Sequence, residues 1–353
     1  MKKITKRWGF IIGLLVIAAA GIVWLIVGYA CSKKNKYPLV PAPEWLKVCS
    51  YNIFQGYDSD LYDKDGTLFA DIERVAETIL DGSFDIIGLQ EINVNKTRSI
   101  NVENGAKADQ AKYIADYLTE KSGIKHYYCY APAMMVTGAN SDYENQYGYG
   151  KGFGLLGEAI ISKYPISSYR IVPMAFYEGY NEDNPLTYYL NGNERRVLLI
   201  ADVEFKGATL TVINTHFDHQ DENARLKAVE VLERELAKIS NPTVVMGDFN
   251  ADYDSKEIKY ISEKLLTTPA ALKATNKTYP RVSPRRKIDW IFVSEELGYK
   301  NFKVSDVGNS DHRPITLEIS LTQKIYENEE QTLTDKLPVF KPGNIMPVKK
   351  KSE

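Results

Sequence analysis

The segment VVMGDFNADYD (244–254) carries an apolar run, Val244 to Met246, that ends at Gly247 and then delivers Asp248 and Asn250. Side chains two apart on a strand face the same side, so a carboxylate and an amide would point together past a strand end. The pattern recurs. Asn52 closes LKVCSYNI (46–53), Gln90 and Glu91 close FDIIGLQE (84–91), and Asn214 with His216 closes TLTVINTH (209–216). Asp289 stands in IDWIFV (288–293), and Asp311 with His312 precedes ITLEISL (315–321). Taken singly, an Asp or Asn at a strand end usually serves as a turn residue or helix cap. Histidine sharpens the case. Of the four, His216 and His312 sit at strand ends beside acids or amides, in NTHFDH and SDHRP. His126 reads as a hydrogen-bonded structural residue and His219 as a helix-entry or surface residue.

The elements that must position these groups alternate between strand and helix patterns. Further strand candidates are GEAIIS (157–162), RVLLIADVEF (196–205) and TVVMGDFN (243–250). DIERVAETIL places Ile72, Val75, Ala76 and Ile79 at helical spacing. ENARLKAVEVLERELAKI does so with Leu226, Val229, Val231, Leu232 and Leu236, and Asp221 or Asn223 is available as its cap. Residues 133–153, rich in Gly, Tyr and Asn, read as a long loop, and loops of that length are often functional. The polar tail 323–353 reads as loosely packed.

The 353-residue chain is 44% hydrophobic and 25% charged, an ordinary globular composition. Its start differs. After a basic segment, 1–9, the uncharged run Phe10–Ala30 has 21 residues, enough to cross a bilayer as a helix. The flanking Lys2, Lys3, Lys6 and Arg7 favour a cytoplasmic N-terminus and a body outside the cytoplasm, with a bacterial cell envelope as the expected setting. A cleaved signal peptide is the rival, and a lipoprotein attached through Cys31 is the second reading. Residues 31–45 form a short, proline-containing linker. The first 36 residues hold seven of the 44 basic side chains and none of the 46 acids, so the remainder has 37 against 46, net −9. Proteins that hold nucleic acid mainly by charge are basic. Phosphate chemistry here therefore needs local positive charge, most simply a metal ion. Three cysteines without CxxC spacing give neither a zinc signature nor a disulfide framework.

The blocks SYNI, IIGLQEIN, GEAIISKYPI, VINTHFDH, VVMGDFNAD, KIDWIFVS and NSDHRPI occur in an order that resembles the endonuclease/exonuclease/phosphatase superfamily. His216 makes the chain similar to the branch with two active-site histidines, that of deoxyribonuclease-I-like nucleases and neutral sphingomyelinases. The resemblance implies an α/β fold, a four-layer α/β/β/α sandwich of two mixed β-sheets over 46–322. One N-terminal transmembrane or signal-anchor helix would precede it. It implies Mg²⁺, with Mn²⁺ as a substitute, held by Glu91 with Asn52 beside it and Asp311 as an outer or second ligand. Asp248 would orient or deprotonate the attacking water, and Asn250 would hold a phosphate oxygen. His312, fixed by Asp289, would donate to the phosphate or handle a proton. His216 would face it near the leaving oxygen, oriented by Glu158. Arg195 or Arg196 would bind a phosphate oxygen, or serve only as a surface charge. Phe54 departs from relatives that carry an acid two residues after the Asn52 position.

The implied activity is hydrolysis of a phosphoester by metal-assisted attack of water. A nuclease-like phosphodiesterase acting on DNA or RNA is the first reading. The alternatives are a sphingomyelinase-like enzyme acting on a phospholipid head group, a sugar or inositol phosphatase, and an inactive membrane-tethered binding module. The net −9 and the lack of a basic stripe weigh against a duplex substrate. The N-terminal helix makes the membrane a partner; no protein partner follows from the sequence.

Overall fold

A computed structural model of the chain describes residues 43–62, 68–94, 109–137, 153–174, 195–266 and 275–323. The expected membrane segment 10–30, residues 31–42 of the linker and the tail beyond 323 lie outside the described residues. Among the described residues, no helix is long and apolar enough to cross a membrane.

Thirteen strands are described: β1 (Leu46–Asn52), β2 (Tyr57–Tyr62), β3 (Leu68–Ala70), β4 (Ile86–Val94), β5 (Tyr127–Thr137), β6 (Phe153–Ser162), β7 (Ile166–Pro173), β8 (Val197–Phe205), β9 (Ala208–His216), β10 (Thr243–Asp248), β11 (Asp289–Val293), β12 (Gly298–Val304) and β13 (Ile315–Ser320). Four α-helices are described with them: α1 (Ile72–Gly82), α2 (Gln110–Ser122), α3 (Glu222–Leu236) and α4 (Lys256–Tyr260). One mixed sheet has the order β12-β13-β1-β4-β6-β5 and the other β11-β10-β9-β8-β7, with β2 and β3 as a separate ribbon. Each large sheet contains one parallel pair, β1 with β4 and β9 with β10.

Three apolar clusters define the layers. Strand β8 shows why. Val197, Leu199, Ala201, Val203 and Phe205 enter the cluster shared with β1, β6 and β13 of the other sheet. Leu198 and Ile200 enter the cluster with Ala228, Val229 and Leu232 of α3. A strand buried on both faces reads as a continuous apolar run, as VLLIA does at the start of β8, before Asp202 and Glu204 bring alternation. On the far side, Cys49, Ile87 and Leu89 pack against Val75 and Ile79 of α1 and Ile114 of α2. The order is helices, sheet, sheet, helices. Fully burying one such Val or Leu contributes ~1.5–3 kcal/mol.

Side chains start the helices. Asp71, Asp109, Asp221 and Ser255 each accept a hydrogen bond from a first-turn backbone N–H. Asp221, rather than Asn223, caps α3. The 133–153 loop is shorter than the composition suggests, because β5 continues through Thr137 and β6 begins at Phe153. Residues 138–152 lie outside the described residues.

Candidate active site

Parallel pairing explains why catalytic residue types collect at one edge. Both strands of a parallel pair present their C-terminal ends on the same side of the sheet. Asn52 of β1 is in register with Gln90 of β4, and His216 of β9 with Asp248 of β10. The antiparallel neighbour β11 begins at Asp289, directly opposite Asp248. Gly247 permits the close fit, since a Cβ there would lie 2.0 Å from the Thr215 carbonyl oxygen.

Two polar bridges fasten one sheet to the other. Gln90 Nε2 donates to Asn214 Oδ1 at 2.6 Å, and Asn214 Nδ2 donates to the carbonyls of Leu89 and Ala159. Nearer the mouth, Asn52 Nδ2 donates to Glu91 Oε1 and to Asp248 Oδ2, both at 3.1 Å. Glu91 and Asn250 hold left-handed backbone, φ 60° and 49°. Such conformations persist where surrounding contacts over-determine them. For Asn250 those contacts are its own N–H to Asp248 Oδ1 and Arg286 Nη2 to its carbonyl.

Asp248 is the hub. Its Oδ2 lies 3.5 Å from His216 Nε2 and 3.6 Å from His312 Nε2. Burial, with Asp289 adding to it against the pull of His312, pushes Asp248 up to about 7. His312 Nδ1 lies 3.0 Å from Asp289 Oδ2. Burial works against a charged imidazole, but Asp289 and then Asp248 outweigh it and lift His312 to about 10. His216 goes the other way. Burial, then Arg196 and His312, hold it well below the usual histidine range. Its Nε2 accepts from Asn250 Nδ2 at 3.1 Å, and Asn250 Nδ2 also donates to the Phe217 carbonyl at 3.1 Å. A carbonyl can only accept, which fixes the orientation of the Asn250 amide and makes His216 Nε2 an unprotonated acceptor.

The expected residues Asn52, Glu91, His216, Asp248, Asn250, Asp289, Asp311 and His312 meet in this one region, with four refinements. Both Asn250 amide hydrogens are engaged, so holding a phosphate oxygen with them would require displacing His216. The Asn52 side-chain oxygen, Oδ1, accepts from Phe54 N–H at 3.0 Å, leaving one lone pair for a cation. Glu158 is buried and pushed well above the carboxylate range, by burial first and against Arg196. Among the described residues no hydrogen bond joins it to His216, and Arg196 is the charge that acts on both groups. Arg195 and Arg196 are buried, not surface charges. Arg196 also reaches His219 Nδ1 at 3.4 Å.

Sequence reasoning did not single out residues 278–286. Thr278 Oγ1 accepts from the N–H groups of Ile288 and Asp289, and Arg286 holds Asn250 and pairs with Asp252. The Tyr279 ring lies 4.8 Å from that of His312. The segment has neither strand alternation nor a block motif, so only its tertiary contacts reveal it.

The donor set fits a hard cation. Glu91, Asp311 and Asp248 crowd together, and burial followed by Glu91 raises Asp311 to about 6. Oxygen donors of this kind suit divalent ions that prefer carboxylates and water. Asp248, Asp289 and His312 also offer three ligand atoms within 4.8 Å of one another, a group that could hold a metal. An ion there would compete with the proton that joins Asp289 to His312 Nδ1.

A two-sheet sandwich whose strand ends gather carboxylates, amides and paired imidazoles defines a metal-dependent phosphoesterase. The chain belongs to the Endonuclease/Exonuclease/phosphatase family, whose profile matches residues 49–312. Its fold is similar to that of an endonuclease/exonuclease/phosphatase from Beutenbergia cavernae, at 19% identity and TM-score 0.58, covering 79% of this chain and 72% of that one. It is similar to a mannosyl-6-phosphatase from Bacteroides thetaiotaomicron, at 20% identity and TM-score 0.55, covering 78% and 99%. The human Nocturnin catalytic domain, with a bound sulfate anion, matches at 15% identity and TM-score 0.52, covering 81% and 99%. At these identities the likeness concerns the fold. No curated protein matches the chain.

Proposed function

We propose that the chain is a Mg²⁺-dependent phosphodiesterase, nuclease-like in its chemistry. Glu91, Asn52 and Asp311 would hold the cation, with Mn²⁺ as a substitute. When bound, the ion neutralises the anionic charge that makes phosphodiesters resist attack. Asp248 takes the proton of the attacking water, since a base poised near neutral pH is both deprotonated and basic enough to act. His312, kept protonated by Asp289, donates from Nε2 to a phosphate oxygen. His216, neutral, stands on the other side of Asp248, near the leaving oxygen. Glu158 serves as a buried acid beside Arg196. Arg196 supplies positive charge to the phosphate side, and Arg195 is the weaker candidate of the two.

One observation carries this reading: Asp248 lies between the Nε2 atoms of two histidines whose charge preferences are opposite. An inactive binding module has no physical need for that arrangement. The test is a panel of DNA, RNA, sphingomyelin, phosphatidylinositol and phosphomonoesters, with Mg²⁺ and with EDTA. Diester cleavage that stops in EDTA and falls steeply in Glu91→Ala is expected. Undiminished turnover in chelator would refute the scheme. The mannosyl-6-phosphatase similarity favours the phosphatase reading as the second, and preference for a phosphomonoester would establish it.

The apolar run 10–30 and its basic flank support an anchored enzyme with its body outside the cytoplasm. Protease added to intact cells should then remove the body and spare the N-terminus. Loss of membrane retention in Cys31→Ala would favour the lipoprotein reading instead.

A further inference from the structure

Asp289 fixes only one point of the His312 ring, its Nδ1. Concerted rotation about Cα–Cβ and Cβ–Cγ can keep that contact and still carry Nε2 away from Asp248. Something must stop the swing. Tyr279 is placed to do so. Its ring centroid lies 4.8 Å from that of His312, with the two planes at 43°. His312 is buried, and Tyr279, whose ring packs on it, is half-buried.

Tyr279 is itself held in place by backbone. Its N–H donates to the Arg286 carbonyl, and its own carbonyl accepts from Arg285 and Arg286, closing the neck of the 279–286 loop. Arg313 N–H donates to the Thr278 carbonyl at 2.9 Å and Arg313 Nε to the Arg281 carbonyl, also at 2.9 Å. These bonds tie the loop on both sides of Tyr279 to the residue that follows His312. The backbones that carry the two rings are therefore tied together by a main-chain bond and by the Arg313 side chain.

We propose that Tyr279 is a positioning residue of the reaction, whose ring holds the His312 imidazole in the orientation that joins Asp289 to Asp248. The inference rests on the phosphodiesterase reading, and it assigns the role to the ring, not to the hydroxyl. Aromatic pairs in tilted geometry contribute ~0.5–1.5 kcal/mol beyond area burial. That suffices to choose among rotamers of a ring already tethered at one end.

The test compares the full-length chain with Tyr279→Phe, Tyr279→Leu and Tyr279→Ala, using the best diester found and, without substrate, the proton NMR resonance of His312 Nδ1–H. Tyr279→Phe should keep kcat within about threefold of wild type, by analogy with retained ring packing. Tyr279→Ala should lose ~10–50-fold in kcat with little change in KM, the pattern of a lost transition-state contact. Its Nδ1–H resonance should broaden by exchange with water, and Tyr279→Leu should fall between. Wild-type kcat and an unchanged resonance in Tyr279→Ala would overturn the proposal. So would Tyr279→Phe behaving like Tyr279→Ala, which would move the role to the hydroxyl, or a change confined to KM, which would make Tyr279 a substrate contact. If Tyr279→Ala does not fold, Tyr279→Leu decides on the same criteria. If no diester is cleaved by wild type, the phosphodiesterase reading fails, while the resonance still reports whether Tyr279 holds His312.

Discussion

His126 and His312 are both nearly inaccessible to solvent, yet their environments drive them to opposite charge states. At the junction of α2 and β5, His126 Nδ1 faces the Ile124 carbonyl at 3.0 Å, and its backbone N–H donates to Thr119 Oγ1. Burial dominates there and lowers His126 to about 4, with Lys163 and Lys125 acting in the same direction. At the strand ends, His312 meets Asp289 and Asp248 and is raised to about 10 despite its burial. A carbonyl offers a dipole and a carboxylate offers a charge, and only the charge offsets the loss of water. The contrast separates a histidine held neutral by burial from one held charged at the strand ends, where the proposed mechanism uses it.

The largest expected effect breaks the comparison at its catalytic end. Removing a positioned acid or base costs ~10²–10⁴ in rate, or ~3–5 kcal/mol of barrier. His312→Ala and His216→Ala should lose activity on that scale with a melting temperature close to wild type. The double mutant should lose less than the product of the singles, because groups acting on one transition state are not additive. His126→Ala should keep its rate in the folded fraction and unfold at lower temperature. Near-normal rates in both catalytic single mutants would end the case for the mechanism.

A third buried base, Lys287, sharpens the contrast, with an expected effect somewhat smaller. Among the described residues its Nζ has no hydrogen-bond partner, and it lies over the rings of Trp290 at 4.3 Å and Phe302 at 4.9 Å. Burial lowers it to about 7, with Asp289 opposing. The folded pKa is depressed, so between pH 7 and the unfolded value the unfolded chain binds more protons. Stability therefore rises with pH across that window, by up to ~4 kcal/mol. Lys287→Met keeps the aromatic packing and should be more stable than wild type at pH 7. Urea midpoints at pH 7 and pH 9.5 check this: the advantage of the variant should shrink as pH rises. An advantage that stays constant with pH would mean that Lys287 keeps its charge by a route other than hydrogen bonding.

Much of this was legible in the sequence, and the parts that were not share a cause. The double-sided strands β1, β4, β8, β9 and β10 announce themselves through apolar runs, and the polar Asn52, Gln90, Glu91, His216 and Asp248 stand out toward the C-terminal ends of β1, β4, β9 and β10. The strand β7, ISSYRIVP, lies at a sheet edge with its middle exposed, so it has no such run. Helix α2 was missed because its apolar residues are diluted by polar ones, among them Gln110, which is buried to bond Asn93 N–H and the Gln55 carbonyl. The eight residues that meet at this edge stood out because each lies in or beside a strand, although β4 runs on past Glu91 to Val94. Which nitrogen of Asn250 faces His216, and that Arg196 is buried beside Glu158, depend on contacts between segments far apart in the chain. Tyr279 and Arg286 belong to the same category: a loop residue acquires its role only from what it is folded against.

The smallest expected effect returns to His126 and asks whether its pocket behaves as burial alone requires. The folded pKa, about 4, lies below the ordinary histidine value of about 6.5. Its contribution to stability is therefore complete above the unfolded value and is lost as pH falls, because the unfolded chain takes up the proton first. Between pH 7.5 and pH 5 the loss should be ~2 kcal/mol. His126→Gln removes the titration while keeping a side-chain donor within reach of the Ile124 carbonyl. Its urea midpoint should start lower than wild type at pH 7.5 and fall less steeply toward pH 5. Subtracting one slope from the other isolates this site from the carboxylates, which titrate in both proteins. Parallel slopes would show that water or a nearby acid reaches the His126 ring and lets it charge in the folded state. The distinction between the two histidines would then be one of degree, set by distance to the nearest carboxylate rather than by its presence.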